Sequence, residues 1–142
     1  MAMPSAPHSL RHPGLRDLTP QETFQFLQTN KEVVFIDIRS EIEHFFVGSP
    51  SNTINIPWQD APDFEINPDF VTDVNHVAKH RQPVILICRS GHRSIDAGNR
   101  LLEAGFHEVY HVLKGFEGDR DEHHHRSSVN GWRFCGLPWV QC

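Results

Sequence analysis

Val84-Ile85-Leu86-Ile87-Cys88-Arg89-Ser90-Gly91-His92-Arg93-Ser94 decides the reading of this chain. Four β-favouring apolar residues lead into a cysteine, and a short donor-rich loop closed by Arg93 passes into a helix-like segment at Ser94. A buried strand that ends on a thiol and turns at once into a helix start aims backbone N–H groups at that sulfur. Amide donors and nearby cations favour the thiolate, the nucleophilic form of cysteine. Arg89 and Arg93 add fixed positive charge at the same place. The stretch predicts an anion cradle with a reactive sulfur at its floor.

The flanking segments place this loop in a fold. Thr19-Pro20-Gln21-Glu22 is a capping box with proline at the first helical position, which predicts a helix to about Gln28 with Phe24 and Leu27 inward. Val33 to Ile38 is an almost unbroken apolar run, as expected of a strand covered on both faces. Ser40-Glu41-Ile42-Glu43 is a second capping box, opening a short helix through Phe46. Gly48 to Asn52 reads as a turn, and Thr53 to Ile56 as a short strand halted by Pro57. Asn67-Pro68 opens a helix in which Phe70, Val74, Val77 and Ala78 keep helical spacing. Ser94 to Ala104 is a helix stopped by Gly105, with Ile95, Leu101 and Leu102 inward. Glu108 to Leu113 is the last strand, followed by a glycine-bounded turn from Gly115 to Gly118. Strands alternating with helices imply parallel pairing and right-handed crossovers. The expectation is a three-layer α/β domain, a central, mostly parallel sheet flanked by helices. Ligands of such sheets bind beyond the carboxyl ends of the strands, where Cys88 stands.

At 142 residues the chain fits one domain, read as an N-terminal arm over 1–14, a domain over 15–118 and an extension over 119–142 that packs on it. A net charge of −5 argues against nonspecific nucleic-acid binding, so the loop arginines form a local basic spot suited to a small anion. Three cysteines without metal-type spacing argue against a disulfide framework and for a reducing compartment. No apolar run is long enough for a signal peptide or a membrane span, so a cytoplasmic protein without a membrane partner is expected.

Cys88-Arg89-Ser90-Gly91-His92-Arg93-Ser94 is similar to the active loop of the single-domain rhodaneses, the thiosulfate sulfurtransferases. Phe35-Ile36-Asp37-Ile38-Arg39-Ser40 resembles the family's upstream Asp-x-Arg signature, and Thr53-Ile54-Asn55-Ile56-Pro57 its next strand. His111-Val112-Leu113-Lys114-Gly115-Phe116 resembles its late strand and turn. Gly131-Trp132-Arg133 and Gly136-Leu137-Pro138-Trp139 resemble its closing segment. One departure is Gly48-Ser49-Pro50-Ser51-Asn52, where the family usually carries a histidine in a Gly-His-Ile-x-Gly stretch. That stretch is a turn in the family, so the change bears on local geometry and not on chemistry.

The resemblance implies catalysis by Cys88 and donor binding by Arg89, Ser90, Gly91, His92, Arg93 and Ser94, with no metal and no cofactor. The thiolate takes a sulfane sulfur from thiosulfate or another small anionic donor and passes it to cyanide, a thiol or a sulfur-acceptor protein. Four residues separate Cys88 from Arg93. Cysteine phosphatases and arsenate reductases place five there, and phosphatases also need a carboxylic acid to protonate the leaving group. The loop holds none, so those activities rank below sulfur transfer. A sulfur-carrier or interaction module with little thiosulfate turnover is the alternative, since it uses the same loop. A noncatalytic scaffold is disfavoured by the cysteine itself.

Other residues have plainer readings. Asp37 and Arg39 are expected to tie strand ends together by an ion pair, and Glu43 is explained by its capping box. Arg93 closes the loop, whereas Arg89 and His92 fit either substrate steering or a solvated side chain equally well. His123-His124-His125, with His107 and His111 near them in sequence, reads as a solvated loop ahead of a metal site, and His76 and His80 as an exposed helix face. Cys135 is read as a tail cysteine ahead of a resolving thiol, and Cys142 as a bystander. Trp132, Phe134 and Trp139 are expected to pack back on the domain rather than dock a partner.

Overall fold

Cys88 directly follows the middle strand of a five-stranded sheet in which every neighbouring pair is parallel. The computed structural model describes residues 11–142. In chain order the elements are β1 (Arg16–Leu18), α1 (Pro20–Thr29), β2 (Val34–Asp37), a π-helical turn (Glu43–Val47), β3 (Ser49–Pro50), β4 (Ile54–Asn55), α2 (Phe70–Asn75), β5 (Val84–Ile87), α3 (Arg93–Glu103), β6 (Val109–Val112) and β7 (Trp139–Val140). The sheet runs β1-β6-β5-β2-β4, and β3 pairs separately and antiparallel with β7. Among the described residues no helix is long and apolar enough to cross a membrane.

The continuous apolar runs of β2 and β5 arise because both faces are covered. Successive side chains of a strand point to opposite faces. Val34, Ile36, Val84, Leu86 and Cys88 accordingly join Phe70, Val74 and Leu101 of α2 and α3 in one core. Phe35, Ile85 and Ile87 point the other way, against Phe24 and Leu27 of α1 and against Trp132. Trp132 is 1% exposed, and its indole N–H donates to the Pro138 carbonyl at 2.9 Å, so the tail completes this second core. Trp139 and Phe134 keep more surface, at 38% and 51% exposure.

Local signals set the helices. Thr19 Oγ1 accepts from Glu22 N at 3.0 Å while Glu22 Oε1 accepts from Thr19 N at 2.8 Å, the reciprocal pair of a capping box. Several expectations shift. The Ser40 box opens a turn that widens to π geometry, with Gly48 N bonded to Glu43 O at 3.2 Å, because the chain must reach Ser49 in β3. Part of the expected 48–52 turn is therefore strand, held by the returning tail. The helix expected from Asn67 is shorter and leaves Val77 exposed, and β1 has no counterpart among the expected strands. The N-terminal arm lies partly outside the described residues; within them, His12 N donates to Asn99 Oδ1 at 2.8 Å and Arg11 reaches the Leu15 carbonyl at 2.8 Å.

Candidate active site

β5 delivers Cys88 to the carboxyl end of the sheet, where the chain must turn at once to enter α3. The loop between them is pinned from below. Phe116 N donates to Cys88 O at 2.8 Å, and Glu117 N to Arg89 O at 2.9 Å, so the turn after β6 holds the loop's carbonyls. Gly115, at φ +59°, lies so close that a Cβ there would collide with the Cys88 carbonyl oxygen and with Arg89. With its carbonyls held below, the loop presents amides above. Gly91, at φ +98°, donates its N–H to Cys88 Sγ at 3.1 Å.

The sulfur is 1% exposed and sits at the floor of the loop. On its inner side Sγ contacts Ser94 Oγ at 3.5 Å, in the first turn of α3. Ser90 Oγ lies 3.2 Å from His92 Nδ1, on the outer part of the loop. His92 and Arg89 are exposed there. Arg93 is the first residue of α3, and the charge of Cys88 adds to the interactions that favour its cationic form. Its guanidinium makes two bonds to Glu43, at 3.1 and 3.0 Å. Burial pushes both partners toward their neutral forms, but the paired hydrogen bonds and charges win. Glu43 is held below the usual carboxylate range and Arg93 above the usual arginine value. Glu43 thus does more than cap, which corrects the plainer reading of it.

Above the loop lies a cleft of about 560 Å³ walled by Arg89, Arg93, Arg126, Glu43, Ile42 and Phe64. Arg126 reaches it from the segment after β6 and donates to Gly118 O at 2.6 Å. Burial and then repulsion from Arg89 pull Arg126 below the ordinary arginine value. The cleft therefore combines three guanidinium groups, one of them paired with Glu43, with an apolar rim. Ile42 and Phe64 are 59% and 49% exposed.

Behind the site, Asp37 and Arg39 form a fully buried ion pair at 2.9 and 2.7 Å, with His44 Nδ1 2.8 Å from Asp37. Arg39 also donates to Gly48 O at 2.5 Å and stacks on Phe116, so the pair braces the strand ends, as expected. Burial opposes ionisation of Asp37, but His44 and Arg39 outweigh it and hold its carboxyl below the ordinary range.

The remaining candidates lie apart. His123, His124 and His125 are exposed on a turn whose amides at 123 and 125 bond Asp121, and His76 and His80 are exposed as well. Among the described residues no group of His, Cys, Asp and Glu is placed to hold a metal ion. Cys135 accepts from Gln21 Nε2 of α1 at 3.2 Å, and all three cysteines are unpaired thiols. Among the described residues His111 joins no histidine cluster. It is buried in β6, with Nδ1 3.0 Å from Ser94 Oγ and Nε2 2.8 Å from Asp17 Oδ1 of β1. Sequence reasoning missed this line of contacts, and missed Arg126. The one signal for it was a histidine inside the otherwise apolar run Val109 to Val112.

Residues 19–122 match the family model of the rhodanese-like domain. A crystal structure of Rv0390 from M. tuberculosis superposes with a TM-score of 0.81 at 38% identity, covering 89% of this chain and 97% of that one. An uncharacterized protein of Rickettsia conorii is 29% identical over 131 residues, 89% of this chain and 98% of its own length. The chloroplastic thiosulfate sulfurtransferase 16 of Arabidopsis thaliana is 34% identical over 84 residues, 58% of this chain and 69% of its own.

Proposed function

This chain belongs to the rhodanese-like family, a sulfurtransferase-type family, and from that premise we propose that it moves a sulfane sulfur through a persulfide on Cys88. The observation that carries this reading is the Gly91 N–H aimed at Cys88 Sγ at 3.1 Å, with α3 starting two residues later. A fixed amide donor beside the positive end of a helix dipole stabilises charge on sulfur.

In the first step the Cys88 thiolate attacks the outer sulfur of thiosulfate or a persulfide donor. A new S–S bond forms, the donor's S–S bond breaks, and its electron pair leaves on sulfite or a thiolate. In the second step an acceptor nucleophile attacks the outer sulfur of the persulfide, and the Cys88 thiolate departs. Both leaving groups are stable anions, so no general acid is needed. Arg89 and Arg126 supply positive charge where the anionic donor arrives, which is a better use of two neighbouring cations than mutual repulsion. The engagement of Arg93 with Glu43 leaves the loop less suited to ringing a phosphoryl group.

The apolar rim of Ile42 and Phe64 favours an acceptor larger than cyanide, such as the cysteine of a sulfur-carrier protein. Thiosulfate added to the reduced protein should leave one extra sulfur in its intact mass, removable by cyanide or dithiothreitol. Cys88→Ser should abolish the adduct with the fold retained. No adduct on the reduced parent overturns the proposal. Slow thiosulfate turnover beside rapid exchange with a protein thiol would make the chain a carrier.

A further inference from the structure

A thiol buried to 1% exposure has little solvent at hand to take its proton. Yet sulfur transfer requires the thiolate, and the inner side of the sulfur meets a line of polar groups running back through the sheet. The line passes from Cys88 Sγ to Ser94 Oγ, then His111 Nδ1, then across the imidazole to Asp17, which Arg11 Nη2 contacts at 2.6 Å. It joins five places along the chain: the residues before β1, β1 itself, the end of β5, the start of α3, and β6. We propose that Ser94, His111 and Asp17 form a proton relay that takes the thiol proton of Cys88 into the sheet, with His111 as its positioning residue.

The proton positions follow from what each atom is able to do. Burial opposes ionisation of Asp17, but hydrogen bonds from Arg11 and His111 outweigh it and hold its carboxyl below the ordinary range. An ionised carboxylate only accepts, so His111 Nε2 must carry the hydrogen it shares with Asp17. Burial pulls His111 toward its neutral form, against the help of Asp17, and Arg11 acts in the same sense as burial. Neutral imidazole with a protonated Nε2 leaves Nδ1 as an acceptor, so Ser94 O–H donates to it. Ser94 Oγ is then the acceptor for the Cys88 S–H.

The chain has a second arrangement that satisfies every partner equally. The sulfur's proton passes to Ser94 Oγ as Ser94's own proton passes to Nδ1. Ser94 then donates to the thiolate and the imidazolium donates to Ser94, with Asp17 facing the new positive charge. One S–H bond is lost and one N–H bond is gained, and no electrons change hands. Gly91 N–H stabilises the sulfur anion from the other side. A resting imidazolium would have no room for the proton, so the depressed value of His111 keeps the acceptor vacant.

A purely structural role, with His111 bolting β1 to β6 and staying neutral while Cys88 ionises, predicts the same contacts but no coupling between the two titrations. The test uses the full chain with Cys135→Ser and Cys142→Ser, so that ultraviolet thiolate absorbance reports Cys88 alone. In that background His111→Asn keeps a hydrogen-bonding group near Ser94 and loses both the ability to hold a proton and the Nε2 contact to Asp17. Thiolate absorbance should then develop about one pH unit higher than in the parent. The reciprocal measurement follows the imidazole of His111 by NMR in the parent and in Cys88→Ser. His111 should lose its proton at lower pH in Cys88→Ser, because the stabilising sulfur anion is gone. Unchanged thiolate titration in a folded His111→Asn protein overturns the relay. So does a His111 titration indifferent to Cys88→Ser, which decides the matter should the asparagine variant fail to fold. The consequence for turnover rests on the sulfur-transfer reading, but neither readout needs sulfur transfer. Coupled titrations without a persulfide adduct would sink that reading alone, and an adduct with uncoupled titrations would sink the relay alone.

Discussion

Replacing Gly91 by alanine should uncouple the fold from the chemistry. At φ +98° the residue sits in a region that costs a side chain about 1–2 kcal/mol. The added Cβ would stand 3.0 Å from the Lys114 backbone nitrogen, tighter than carbon normally approaches. Lys114 has little room to retreat, since Leu113 N is bonded to Leu18 O at 2.8 Å and Gly115 N to Val112 O at 3.2 Å. The loop must therefore give way, and the amide that reaches the sulfur at 3.1 Å moves with it. A hydrogen bond to a charged group contributes about 1.5–3 kcal/mol, so its loss should lower kcat/KM for sulfur transfer by roughly 10- to 150-fold. Stability should fall by only about 1–3 kcal/mol, because the strand and helix on either side keep their cores. The assay is steady-state turnover with thiosulfate and cyanide beside urea unfolding of the same preparation. A folded Gly91→Ala protein within twofold of the parent rate would show that this amide does not hold the thiolate, and the electrostatic reasoning for the loop would fall with it.

Three further outcomes follow from the surroundings of the site. Glu43→Gln removes the partner of a guanidinium that is only 23% exposed, so urea unfolding should show a loss of about 2 kcal/mol, with a raised KM for anionic donors as Arg93 loses its anchor. Trp132→Ala empties the centre of the second core and should cost about 3–5 kcal/mol by the same measurement, although Trp132 stands at neither end of the cleft. Acidification should destabilise in two stages, read by thermal unfolding against pH. His111 has a depressed folded value, so the unfolded chain binds its proton first and stability falls as pH drops below about 6.5. Glu43 and Asp37 are depressed carboxylates whose stabilisation is present above their ordinary values of 4.5 and 3.8 and is lost below them. His111→Asn should erase the first stage and leave the second.

Elements with their own local period were legible in the sequence. The Thr19 box, the apolar runs of β2 and β5 and the glycine after α3 each report a constraint that acts within one turn or one strand. What stayed hidden has no local signature. β3 and β7 are two residues each and exist only because the tail returns from position 139 to pair with Ser49 and Pro50. β1 is three residues whose pattern is mostly exposed, and it is a strand because β6 offers it an edge. Periodicity over so few residues carries no information; the pairing partner supplies it. The stretch from Gly48 to Asn52 likewise takes part of its conformation from the tail, which pairs with Ser49 and Pro50.

The site divides along the same line. Its seven loop residues are contiguous, so a strand end, donor types and spacing sufficed to place them. Its support comes from afar: Glu43 lies 50 positions from Arg93, and Asp17 lies 94 from His111. Glu43 shows how a sufficient local explanation hides a distant role. Its Oε1 accepts from Ser40 N at 3.2 Å, which alone accounts for a glutamate at that position. The same oxygen also accepts from Arg93 at 3.1 Å, and Oε2 accepts at 3.0 Å. The π turn brings the two roles together. Its wide i→i+5 bond runs from Gly48 N to Glu43 O just ahead of β3, while the side chain of Glu43 bonds both Ser40 and Arg93. An exposed capping glutamate would tolerate aspartate or glutamine at a cost of tenths of a kcal/mol. One that also fixes the loop arginine should not, and this difference in tolerance, rather than the capping pattern, marks Glu43 as part of the site.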